Sequence, residues 1–383
     1  MIPQYEYLKR VADECYAKFF AQGFADAGNN GPHGHIDTPV RNTGHFLIIY
    51  SFLYKRTGDK KYRLIADRLA EYLYREQAKS KNGAIQCMVS DQFDHLNGLI
   101  GQGWVIESLL YYYDVSRDRR ALESALKIFY SQRYDYSIHL WHRVELDGSD
   151  IGIDPTYNHN IWFAACSVKL LDFADDPEVD RIIRDLLTEG AKRDFATYRN
   201  GLLRHSVKIA DKKALERRIK RAIKIILYPL RWVNLKKLDY RYMEKGYQIF
   251  DMYGFCVLEE RYSDLPLFSD AKYLKAKEYA LDIDTLNKEY GISDSGETSH
   301  FNVYSYSYNS PAFEYPYVAA HFGRRNTEII ESLFDIQKQL MFDSEANDFT
   351  KNNPDIATFH SRTYEIIRYL ELVDDSALGG SID

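Results

Sequence analysis

Residues 97–132 read NGLIGQGWVIESLLYYYDVSRDRRALESALKIFYSQ. The first half, Asn97 to Tyr113, is apolar nearly all round, the profile of a helix enclosed on every side. The turn DVSRDRRA follows, and then Leu122 to Gln132, where apolar residues keep helical spacing and charge fills the rest. Such a second helix covers the first and faces water.

The same pairing recurs along the chain, which makes it a repeat architecture. Gly44–Lys55 (GHFLIIYSFLYK) and Arg63–Glu76 form one copy; His159–Ala174 and Arg181–Phe195 form another. Further inner helices begin near Gly246, with a partner at Ser269–Ala280, and at Ser310–Phe322, with a partner at Thr327–Phe342. A sixth, Ser361–Val373, has no helix after it, and Tyr5–Phe20 at the other terminus is its missing partner. One pair split between the termini is what a closed ring requires, since an open solenoid leaves two exposed ends. The expected fold is therefore all-α, a single (α/α)6 toroid over residues 1–383.

Composition agrees with this and narrows the function. Apolar residues make up 45% and charged residues 28%, enough for a large core. The net charge of -6 is not the basic footprint of a nucleic-acid binder. Tyrosine is abundant at 32 residues, and its ring and hydroxyl suit walls that are half core and half wet cleft. Cys15, Cys87, Cys166 and Cys256 are scattered without metal or CxxC spacing and read as free thiols of a reducing compartment. The first residues open an amphipathic helix at once, and no run reaches the ~18 apolar residues of a membrane span. A cytoplasmic location is expected.

In a ring of hairpins the long connections between pairs gather on one face. His33, His35, His45, His95, His142, His159, His205, His300 and His360 all lie in or beside these connections. Function collects on such loops. Four groups stand out. Asp91, Asp94 and His95 precede the second inner helix, which carries Gln102 and Trp104; the carboxylates are candidate general acids, or Asp94 caps the helix. Asp154 leads into Tyr157, Asn158, His159 and Asn160, with Trp162 beyond. Here an amide can neutralise a uronate carboxylate while His or Tyr moves the C5 proton, unless Asn158 and Asn160 serve as caps. Glu297, His300, Tyr304, Tyr306 and Asn309 precede Glu314, with tyrosines alternating as in a short extended segment that could stack on a sugar. Arg41 and His45 stand at the first inner helix, where Arg41 could pair with a substrate acid. No phosphate loop, HExxH or GxSxG element is present, so neither metal nor cofactor is implied.

The connection at about 205–243 differs in kind. Within 212–237, Ile219, Ala222, Ile223, Ile226, Leu227 and Leu230 recur at helical spacing among seven lysines and arginines from Lys212 to Lys224. That profile fits a helix at the inner face of a membrane, or one docked with a solvated basic face.

YKRTGDKKYRLIADRLAEYL and DHLNGLIGQGWVIESLL resemble hairpins of the six-hairpin glycosidases, above all the cytoplasmic unsaturated glucuronyl and rhamnogalacturonyl hydrolases. That resemblance implies an Asp acid/base, with Asp94 or Asp154 in the role. Residues 157–165, YNHNIWFAA, are similar to the Asn-Asn-His segment of toroid alginate and heparin lyases. This second resemblance carries over Asn158 and His159, puts Tyr157 where the lyases have Asn, and asks for a catalytic Tyr such as Tyr304 or Tyr306. N-acylglucosamine epimerases share the fold, but none of their local patterns is found. The expected function is a hydrolase acting on a uronate-bearing saccharide, with a lyase or C5-epimerase, or a non-catalytic saccharide-binding ring, as the alternatives.

Overall fold

The computed structural model describes residues 2–89, 94–191, 195, 197–207, 240–292 and 301–379. Inner helices are α2 (Val40–Thr57), α4 (Gly98–Ser116), α6 (Tyr157–Ser167), α8 (Tyr240–Tyr262) and α11 (Pro311–His321). The sixth is α13 (Ile356–Arg362), which continues through a 3-10 turn (Thr363–Ile366) into α14 (Ile367–Gly379). Outer helices are α1 (Pro3–Gln22), α3 (Lys60–Gln77), α5 (Arg119–Ser131), α7 (Pro177–Asp185), α9 (Ala271–Leu281) and α12 (Thr327–Met341); the short α10 (Ile283–Glu289) follows α9.

The inner helices close a ring. α2 packs on α4, α4 on α6, α6 on α8, α8 on α11, α11 on the 363–366 turn and α14, and α13 returns to α2. Outside it, α1 packs against both α3 and α12, so the N-terminal helix fills the gap at the seam. Gln4 pins it there, its amide nitrogen donating to the carbonyls of Ala312 and Ile330 at 3.2 and 3.0 Å. The (α/α)6 toroid read from the repeat is the observed fold.

Local chemistry separates the two rings. From Gly98 to Tyr112 every residue of α4 is buried, whereas α3 buries a stripe (Tyr62, Ile65, Ala66, Leu69, Ala70, Leu73). Five of the six outer helices start on their own caps: Asp59, Asp118, Asp176, Asp270 and Asn326 each accept from an amide of the first turn, and only α1, entered from Ile2, does not. α2, α4, α6 and α11 have no side-chain bond from their own N-cap residue, and the first amides of α4 and α6 are met by groups from other connections, Asp94, Asp154 and the His205 carbonyl.

Three features depart from expectation. Residues 134–153 carry a three-stranded antiparallel sheet, β1 (Tyr134–Asp135), β2 (Leu140–Val144) and β3 (Asp150–Ile153), with His142 opposite Ile153. Gly148 at φ +86° makes the turn after Asp147 possible. The tyrosines of 304–308 do not form an extended strand; the segment winds through turns, Ser305 N–H to Asn302 O and Tyr308 N–H to Ser305 O. α6 is shorter than expected and passes into a 3-10 segment, Val168–Asp172. Apart from its flanks, the basic connection lies outside the described residues.

Candidate active site

At the N-terminal end of the inner helices lies a cavity of about 310 Å³, and all six of them or their preceding connections supply its wall. His159, in the first turn of α6, is one of its polar lining groups. Its Nδ1 lies 2.9 Å from Oδ2 of Asp154, which is 1% exposed. The other Asp154 oxygen accepts the Thr156 amide at 2.9 Å, and Oδ2 also receives the Leu99 amide at 3.4 Å. Burial alone would raise this carboxyl. The His159 charge and hydrogen bond, the Thr156 amide and Arg143 outweigh it and hold Asp154 below the usual carboxylate range. With Nδ1 tied to a carboxylate, Nε2 is the nitrogen left for a substrate.

Asp94 takes the second uncapped amide of α4, that of Gly98, and faces Arg143 of β2 at 3.5 Å. Gly98 therefore sits between the two aspartates. A Cβ built there would lie 2.6 Å from His159 Nδ1 and 2.9 Å from Asp154 Oδ2, and its φ is +59°. Only glycine fits.

Two further histidines complete the polar wall. His33 Nε2 meets the Tyr247 hydroxyl at 2.7 Å, and its ring packs near Tyr304 and Tyr308. Burial, with the charges of His35, Arg41 and His159, pushes His33 down to about 4. His205 lies against Tyr247; burial, His159 and His33 push it down to about 3. Both rings are neutral at neutral pH. Trp104, Phe250, Tyr247 and Tyr308 supply the apolar part of the wall.

Of the residues the sequence offered, Asp94, Asp154, His159, Trp104, Asn158 and Asn309 line this cavity. Others are placed elsewhere. Arg41 is buried and its charge is matched internally, by Asp37 at 2.5 Å and by Asn30 and Thr358, not held open for a substrate acid. His45 is a core residue stacked on Tyr364, with Nδ1 3.3 Å from Ser361 Oγ; burial and the charges of Arg41 and Arg362 push it far down. Gln102 bonds both backbone groups of Ile85 and so anchors the preceding connection. His95 pairs with Glu145 at 3.1 Å. Tyr157 packs on Phe195 and Phe255, and Trp162 stacks under Phe250 at 4.3 Å. Tyr304 stands behind His33, 5.3 Å between ring centroids, and Tyr306 is buried on Asn287. Glu314 is buried on Arg362. Asp91, Glu297 and His300 lie outside the described residues.

Arg143, Tyr247 and Arg362 were missed, and His33 and His205 were seen only as loop histidines. Arg143 depends on strand pairing that the sequence reading did not anticipate. Tyr247 and Arg362 look like ordinary helical residues until the ring closes.

The chain has an (α/α)6 fold, and solved structures of that fold align over nearly all of it. Cellobiose 2-epimerase from Spirochaeta thermophila DSM 6192 matches with a TM-score of 0.59 at 14% identity, covering 96% of this chain and 98% of that one. The unsaturated glucuronyl hydrolase of Bacillus sp. GL1 matches with a TM-score of 0.56 at 14% identity, covering 96% and 94%. No protein-family model matches the chain. Among curated proteins it is similar to archaeal glycosylation protein Q of Haloferax volcanii, 29% identical over 355 residues, or 91% of this chain and 92% of that protein.

Proposed function

We propose that this chain is a carbohydrate-active enzyme that moves a proton at a sugar carbon, an epimerase or isomerase working in glycan construction. The observation that carries the reading is the His159–Asp154 pair facing a cavity that also holds the neutral rings of His33 and His205. A carbon beside a carbonyl or carboxyl group can lose its proton to a positioned imidazole. Asp154 fixes the His159 tautomer and stabilises the imidazolium that forms, as in other His–carboxylate pairs. The C–H electron pair passes into an enediolate, and the His159 imidazolium gives the proton back, to the next carbon or to the same carbon once the enediolate has turned its other face. The cellobiose epimerase fold and the glycosylation-protein relative support this choice of chemistry and setting.

Hydrolysis is the second reading, favoured by Asp94 and Asp154 flanking Gly98. Two carboxyl groups across a glycosidic bond are what that reaction needs. Against it, Asp154 is kept ionised and is engaged in orienting His159.

Incubation in D2O with D-mannose, cellobiose and a glucuronate-bearing disaccharide separates the two. Proton transfer predicts a mass gain at one carbon, seen by NMR and mass spectrometry, and a loss of roughly 10²–10⁴-fold in His159→Ala. Release of a new reducing end without deuterium at carbon would favour hydrolysis and sink the first reading.

A further inference from the structure

Arg362, the last residue of α13, lines the cavity although its side chain is only 3% exposed. A guanidinium carries five N–H donors in a rigid plane. Here Nε donates to Glu365 Oε1 at 3.1 Å, and Nη2 donates to the same oxygen at 2.7 Å and to Glu314 Oε1 at 2.9 Å. Nη1 gives one hydrogen to Asn309 Oδ1 at 2.7 Å. The second Nη1 hydrogen has no acceptor among the described residues.

The group cannot swing away. Its Cζ lies 4.9 Å from the Phe250 ring centre and 4.8 Å from that of Tyr308, and both rings line the cavity. Two buried carboxyls also share this one cation. Burial and the Glu365 charge hold Glu314 well above its ordinary range, and burial raises Glu365 as well. What Arg362 offers the cavity is therefore a fixed donor whose charge is already shared with buried carboxyls. Such a donor suits a carbonyl or hydroxyl oxygen that becomes negative only during reaction, because it adds little to ground-state binding.

We propose that Arg362 donates its remaining N–H to the oxygen of the sugar that gains charge when the adjacent carbon loses its proton to His159. This rests on the proton-transfer reading above. The C–H pair forms the new C–C double bond, the carbonyl pair moves onto the oxygen facing Arg362, and both return when the carbon is reprotonated. Glu314, Glu365 and Asn309 hold the donor in place.

The test uses the full chain, with Arg362→Gln and the double variant Arg362→Gln/Glu365→Gln, which removes one charge of each sign if the single variant fails to fold. Folding is checked by circular dichroism, and deuterium uptake is followed with D-mannose, cellobiose and the glucuronate disaccharide. The expected result is a kcat lower by on the order of 10²–10³-fold with a smaller change in KM. A folded variant that exchanges at the wild-type rate overturns the role of Arg362 and leaves the histidine reading standing. Wild type inert on all three sugars overturns both. A crystal of wild type with a turned-over sugar gives an independent answer: Nη1 beyond hydrogen-bonding distance of every sugar oxygen also overturns the proposal.

Discussion

Gly98 lies where the start of α4 meets the His159–Asp154 pair. Its φ of +59° costs an L-residue roughly 1–2 kcal/mol, and a methyl group would press on both members of the His159–Asp154 pair. Gly98→Ala is expected to lower the unfolding midpoint and to cut activity more than its stability loss explains. Wild-type turnover in that variant would refute the placement of the pair. The histidines make a second prediction, in pH. His33 and His205 are held at about 4 and about 3, below the ~6.5 of an unfolded histidine. Their neutral forms are the native ones, so their contribution is complete above pH ~6.5 and is lost progressively as pH falls toward 4 and then 3. Chemical denaturation between pH 7.5 and 4 should show a loss of a few kcal/mol, and His33→Gln should flatten part of that slope.

Among elements, the contrast in capping explains where the site formed. Five of the outer helices bring their own Asp or Asn caps, and Asp118→Ala should cost about 1 kcal/mol without changing turnover per folded molecule. At α4 the cap is missing from the helix and is supplied by Asp94 and by Asp154 from another connection. Helix starts of this kind attract negative groups, so the capping of α4 and the proposed chemistry draw on the same carboxylates. Asp154→Asn should therefore lower both the unfolding midpoint and activity. For the connection at 212–237, the sequence supports a proposal of contact with anionic membrane; co-flotation with anionic vesicles at low salt is the expected outcome, and a chain left wholly in the soluble fraction would end it.

For the whole molecule, closure is the property on which everything else depends. α1 packs against α12, hundreds of residues later in the chain, and Gln4 seals the seam through two backbone carbonyls. Gln4→Ala should cost ~1–3 kcal/mol, since both acceptors are buried. An unchanged denaturation midpoint would show that the seam is held by packing alone. Closure also explains why the cavity is polar: it lies where the starts of the inner helices and the connections before them converge.

What the sequence determined by itself was periodic. Apolar GLIGQGWVIESLLYYY against striped RRALESALKIFYS announces an inner and an outer helix because enclosure and half-exposure leave different residue patterns. The orphan helix at each end announced closure. Asp94, Asp154, Asn158 and His159 were legible because they cluster just before an inner helix. Only the tertiary structure decided which polar groups face the cavity. Arg41, His45, Gln102 and Glu314 sit at equally suggestive positions, yet each is matched by partners distant in sequence: Asp37 and Thr358, Ser361 and Tyr364, Ile85, Arg362. Whether a charge is free or paired is a property of neighbours across the ring, and local spacing carries no record of them.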